Sequence, residues 1–177
     1  FLWRFYRQPV TFSDRNGFNR QDAVLSGRSI IETPIIGEKH MAIQVGDKVP
    51  AVSFKTLSSS GLEDQTTDDI FKGKKVVLFA VPGAFTPTCS NNHLPGFVEK
   101  ADEILAKGVD TIACISVNDP FVMAAWGADR NASNIMMVAD GNGDFTRAVG
   151  LEMDGSGFGL GARSQRFALI AENGVVN

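Results

Sequence analysis

Residues 75–90, KVVLFAVPGAFTPTCS, place a cysteine where a strand hands over to a helix. The run 75–81 is apolar and rich in β-branched side chains, the signature of a buried strand. Beyond it Thr86 suits a helix N-cap, Pro87 suits the first helical position, and Cys89 falls in the first turn. A thiol there meets free backbone N–H groups and the positive end of the helix dipole, which favour its thiolate. Thiolate is the nucleophilic form of cysteine, so this segment predicts a nucleophile.

Strands and helices alternate outward from that point. Residues 52–57 form a short strand candidate, and 67–71 a helical turn leading into the strand 75–81. From Pro87 to about Lys107, Leu94, Phe97, Val98, Ala101, Ile104 and Leu105 recur on one face at helical period, with a kink expected at Pro95-Gly96. Gly108 ends that helix before a second buried strand, 109–117. Asp119 caps and Pro120 opens another helix through about Ala128. Residues 135–139 read as a third core strand and 145–149 as a short helix. The segments 166–171 and 174–176 read as a hairpin turning at Glu172-Asn173-Gly174. The pattern predicts a three-layer α/β domain whose sheet the last hairpin makes mixed. It breaks off at Asn177 in the middle of a strand, and the domain at 41–177 is expected to lack its C-terminal end.

Composition narrows the function classes. A chain of 177 residues with 44% hydrophobic and 21% charged residues reads as one globular domain. A net charge of −3 with no Lys/Arg run argues against nucleic-acid binding, and no apolar stretch approaches the ~20 residues of a membrane span. Two cysteines, Cys89 and Cys114, argue against a disulfide-stapled fold and for a reducing compartment. Cys114 lies inside the strand pattern 109–117 and reads as an inert core residue. Residues 1–40 carry six Lys/Arg against four Asp/Glu and contain no catalytic motif. His40-Met41 resembles a cloning junction, so the segment is expected to be appended or foreign.

Several motifs fail on their details. Asp140-Gly141-Asn142-Gly143-Asp144 begins like a calcium loop, but Phe145 stands where glycine is required and Leu151 where glutamate is. The glycine-rich stretch 155–161 follows no strand, which disfavours a dinucleotide site and leaves a loop near the active site or a subunit contact. Cysteine and histidine are too few for a structural zinc site, and no Cys-x-x-Cys exists. No cofactor and no metal are expected. For Thr86, three residues before Cys89, a plain cap and a bond toward the thiol stand side by side. Pro82 and Pro87 stiffen the loop and withhold backbone donors. Arg163 and Arg166 are the guanidinium candidates for Cys89, against a surface salt-bridge role. His93, one turn after Cys89, reads as helix packing or support ahead of a direct Cys–His pair.

The segment 82–90 (PGAFTPTCS), followed by His93-Leu94-Pro95-Gly96-Phe97, resembles the active-site segment of peroxiredoxins of the type II, peroxiredoxin-five-like (atypical) subfamily. The block 117–121 (VNDPF), Trp126, and the segments 139–146 and 163–167 resemble later blocks of that subfamily in order. The likeness covers 41–177. It implies a thioredoxin-like fold and thiol-dependent reduction of hydrogen peroxide and organic hydroperoxides. By motif position Cys89 resembles the peroxidatic cysteine, which passes through sulfenic acid. Thr86 would bond peroxide and thiolate, Pro82 would shield the pocket, and Arg166 would be the family arginine. Cys114 matches a non-resolving position, and some members carry a resolving cysteine near the C-terminus, in a region beyond Asn177; the chain as given resembles a one-cysteine enzyme recycled by an external thiol, glutathione with glutaredoxin or thioredoxin. The resemblance also implies a homodimer through the face bearing the active-site loop, with Phe85, Phe121 and Trp126 as contributors or plain core.

A thiol–disulfide exchange protein on the same fold, and a catalytically silent interaction module, are the competing classes. The missing second active-site cysteine counts against the former. The location expected is cytoplasmic and bacterial-type, with an organelle as the alternative.

Overall fold

The computed structural model describes residues 41–177, so the reading of residues 1–40 as an appended segment lies outside them. The apolar run at 75–81 forms β3 (Lys75–Ala80), whose side chains are almost wholly buried. It pairs in parallel with β4 (Thr111–Ser116) and antiparallel with β8 (Phe167–Glu172). On the far side of β4 lies β5 (Met136–Ala139), parallel to it, and then β1 (Ser53–Ser58), antiparallel. β2 (Gly61–Thr66) and β9 (Val175–Val176) are the edges, giving the order β2-β1-β5-β4-β3-β8-β9. The mixed sheet and its flanking helices are those of a thioredoxin-like domain.

Residue alternation along β3 and β4 builds a core on each face of the sheet. Val77, Phe79, Ile112 and Cys114 point to one side, where they pack with Cys89, Leu94, Met123 and Trp126. That layer is made by α2 (Leu94–Glu99), α3 (Ala101–Leu105) and α4 (Pro120–Asp129). Val76, Leu78, Ala113 and Ile115 point to the other side, against α1 (Thr67–Phe71) and α5 (Asp144–Ala148). Burying each of the larger side chains contributes about 1.5–3 kcal/mol. Asp119 caps α4 as expected, its carboxylate accepting from the Val122 N–H at 2.9 Å. Asn173 and Gly174 turn β8 into β9 with φ of 50° and 77°, the left-handed pair that a two-residue hairpin requires.

The helix expected over 87–107 is not continuous. After Pro87 and Thr88 the backbone makes one π-helical turn, Cys89–His93, in which the Leu94 N–H reaches the Cys89 carbonyl. Pro95 has no N–H for the α-helical bond to Asn91, which removes a reason to keep the tighter pitch there. A second break falls at Lys100, with φ −101° and ψ 4°, between α2 and α3. Three strands were not expected. β2 is an acidic edge strand without an apolar face, while β6 (Glu152–Asp154) and β7 (Ala162–Ser164) form a small separate hairpin around the glycine-rich stretch. Trp126, read as a dimer-face contributor or plain core, is core, with 0% of its surface exposed.

Candidate active site

The loop leaving β3 and the residues following β4 and β7 converge at the carboxyl ends of the parallel strands. Asn118, two residues beyond β4, accepts through Oδ1 from the Ala84 N–H at 2.9 Å and the Ser116 hydroxyl at 2.8 Å. Arg163 donates Nη1 to the Val117 carbonyl and Nε to the Leu160 carbonyl, both at 2.8 Å. A Cβ on Gly83 would lie 3.1 Å from Thr86 Cγ2 and 3.5 Å from Arg163 Nη1, so the loop is seated directly on these two side chains. Phe85, at the loop's crest, takes φ 59° and is 52% exposed. A bulky residue in the left-handed region is uncommon and stores strain of about 1–3 kcal/mol.

Cys89 is 1% exposed, yet its sulfur accepts from Arg166 Nη2 at 3.2 Å. The other terminal nitrogen of Arg166, Nη1, lies 2.6 Å from His93 Nδ1. Burial, and after it the Arg166 cation, hold the His93 imidazole below its ordinary value. Beside Cys89, Ser90 is buried and its hydroxyl accepts from Trp126 Nε1 at 3.0 Å, tying the π-turn to α4. Cys114, 0% exposed in β4, lines the same apolar layer; burial, and then the charge at Cys89, push its thiol up. It stays a protonated core thiol.

The sequence-derived residues fall into two groups. Arg166 is in direct contact with both Cys89 and His93. Thr86 and Pro82 belong to the same loop without a hydrogen bond to Cys89 among the described residues. Pro82 is half-buried one residue past Val81. The Thr86 backbone carbonyl takes the first helical bond, from Ser90 N–H at 2.9 Å. Its hydroxyl does not cap the helix as expected; it donates to the Gly83 carbonyl at 2.8 Å and closes the turn. Of the two arginines, Arg166 reaches the thiol and Arg163 buttresses the loop. The buttress formed by Asn118, and the Ser90–Trp126 bond, were not foreseen. A polar residue just past the carboxyl end of a buried parallel strand was the available signal for Asn118.

Asp140 shows why the calcium-like stretch holds its shape. Its carboxylate accepts the Phe145 and Thr146 N–H groups at 3.1 and 2.9 Å. Burial raises its carboxyl, against those two bonds.

A buried cysteine at a helix start, met by an arginine from the link between β7 and β8 on a thioredoxin-like sheet, defines a candidate thiol-based redox site. The redoxin family model matches residues 44–177. The chain is 49% identical over 154 residues to the chloroplastic Peroxiredoxin-2E of Arabidopsis thaliana, covering 84% of this chain but only 64% of that protein. It is 52% identical over 134 residues to Peroxiredoxin-2D of Arabidopsis thaliana, covering 74% of this chain and 82% of the relative. Among solved structures, reduced Prx3 of Vibrio vulnificus in complex with hydrogen peroxide superposes with a TM-score of 0.73 at 56% identity, over 76% of this chain and 84% of that one. The chain belongs to the peroxiredoxins, in the type II, peroxiredoxin-five-like branch.

Proposed function

We propose that the protein is a thiol peroxidase that reduces hydrogen peroxide and organic hydroperoxides through Cys89. The observation that carries this reading is the 3.2 Å contact between Arg166 Nη2 and the Cys89 sulfur, inside a loop fixed from three sides. The guanidinium donates to the attacking sulfur and adds charge stabilisation as oxygen charge develops. Thr86 has committed its hydrogen to Gly83, so its oxygen is left to accept the O–H of a peroxide. Pro82 limits the access of water at the start of the loop.

In the reaction the thiolate attacks one peroxide oxygen. The S–O bond forms as the O–O bond breaks, and both electrons of that bond leave with the second oxygen, which takes a proton and departs as water or alcohol. Cys89 becomes a sulfenic acid. Cys114, buried and protonated, is no resolving thiol. We take an external thiol to condense with the sulfenic acid, releasing water, and a second thiol to reduce the mixed disulfide. We assign that role to glutathione with glutaredoxin, or to thioredoxin. The 52% and 57% exposed Phe85 and Phe121 support a homodimer through the face that bears the loop. Among the described residues no helix is long and apolar enough to cross a membrane. We assign the protein to the cytoplasm, with an organelle the alternative that the chloroplastic relative supplies.

The test is steady-state peroxide consumption with thiol supplied. Cys89→Ser is expected to abolish turnover and Cys114→Ser to retain it. Turnover surviving in Cys89→Ser would overturn the assignment.

A further inference from the structure

Cys89 and His93 open and close the π-turn, four residues apart, so their side chains leave the helix on one face. Both meet Arg166, an exposed residue on the short link between β7 and β8. A guanidinium on a long exposed stem loses much rotamer freedom when it is held in one place, and a single bond to sulfur at 3.2 Å is a weak tether. His93 supplies a shorter one, at 2.6 Å. Arginine has donors and no acceptor, so the imidazole accepts through Nδ1 and carries its own hydrogen on Nε2. The ring is itself fixed: it stands edge-on to Phe79 at 5.4 Å and to Phe97 at 5.6 Å, and those two rings stack at 3.8 Å. Phe79 lies in β3, the strand whose exit loop carries Cys89. One rigid layer therefore locates both the thiol and the nitrogen that aims its arginine.

We infer that His93 is a positioning residue, which holds the Arg166 fork with one nitrogen so that the other meets the Cys89 sulfur. The inference rests on the peroxidase reading above and adds a residue to it. His93 touches neither peroxide nor sulfur; it acts through Arg166. The role needs a fixed acceptor at the Nδ1 position and no proton transfer. Asparagine places its Oδ1 one bond from Cγ, as histidine places Nδ1, and so supplies that acceptor. Phenylalanine keeps the ring packing and supplies none.

The test combines kinetics with a spectrum. Rapid mixing of the reduced protein with hydrogen peroxide is expected to show Cys89 oxidation slowed about tenfold in His93→Phe, the loss of one charge-assisted hydrogen bond. His93→Asn is expected to recover most of the wild-type rate. In an Arg166→Ala background His93→Phe should have no further effect. A wild-type rate in His93→Phe, or the same slowing with and without Arg166, would overturn the inference. The protein has two histidines, so ¹⁵N spectra of labelled histidine resolve His93 directly. The neutral Nε2–H form is expected, with an Nδ1 signal that moves in Arg166→Ala. If the wild type itself reacts no faster than free cysteine, the peroxidase reading falls. The spectrum then decides the contact separately, and an Nδ1 signal unmoved by Arg166→Ala overturns it too.

Discussion

At the scale of single residues, Arg166 divides its two terminal nitrogens between two partners. Nη2 faces the Cys89 sulfur and Nη1 faces His93 Nδ1. The planar fork serves both at once, whereas a lysine ammonium is a point charge on a flexible stem. Arg166→Lys is therefore expected to keep the positive charge but slow peroxide oxidation of Cys89 by about tenfold, equivalent to about 1.4 kcal/mol. Stopped-flow oxidation of the reduced variant measures this, and an unchanged rate would show that charge alone suffices. Sequence reading reached Cys89 because its flanks are a strand end and a helix start. The local pattern left Arg163 and Arg166, three residues apart, side by side as candidates, and only the family resemblance pointed to Arg166. That choice depends on which side chain turns toward Val117 and which toward the thiol, a consequence of strand register that no local pattern encodes.

At the scale of elements, the π-turn is held by its neighbours and not by its own pattern. Trp126 of α4 donates to Ser90 in a fully buried bond of 3.0 Å. Ser90→Ala leaves the indole N–H without a partner and is expected to cost about 1–3 kcal/mol in urea unfolding. Combined with Trp126→Phe, the second change should cost less than it does alone, because the donor that Ser90 served is gone. Full additivity would mean the bond contributes nothing. The long helix was legible as an apolar face at helical period and its interruption was marked by Pro95-Gly96, whereas the π-turn just before that pair and the break at Lys100 were not. Hydrophobic spacing tolerates an inserted residue, and the wider turn follows from Pro95 lacking an N–H together with packing onto Phe79 and Trp126. The hairpin at Asn173-Gly174 was legible because its turn demands those residue types. The edge strand β2 was missed because pairing with β1 holds it, with little apolar surface of its own.

At the scale of the whole molecule, stability and activity meet in one titratable ring. His93 meets the Arg166 cation from the β7–β8 link and the phenyl rings of Phe79 and Phe97, with Cys89 one turn earlier on its own helix. Its ordinary value of 6.5 is lowered in the folded protein by burial and by that cation. Below 6.5 the unfolded chain takes up the proton before the folded one does, so stability rises with pH through that window and is complete above it. Urea unfolding between about pH 5 and pH 7.5 should show this rise in the wild type and a flatter profile in His93→Asn. Equal profiles would remove His93 from the pH dependence. The three-layer architecture was legible from the alternation of strands and helices, since the central strands β3 and β4 bury both faces and helices cover each. The convergence of Asn118, Arg163 and Arg166 on one loop was not, because it depends on parallel strands ending at the same edge of the sheet.

If Cys89 is a nucleophile tuned for peroxide, its first oxidation sets it apart from an ordinary thiol. The most direct measurement mixes the fully reduced protein with one equivalent of hydrogen peroxide and follows Cys89 by rapid quench and intact mass. The expected result is the gain of a single oxygen at Cys89, far faster than oxidation of free cysteine, with Cys114 left as a thiol. Oxidation at the rate of free cysteine, or first appearing at Cys114, would contradict it.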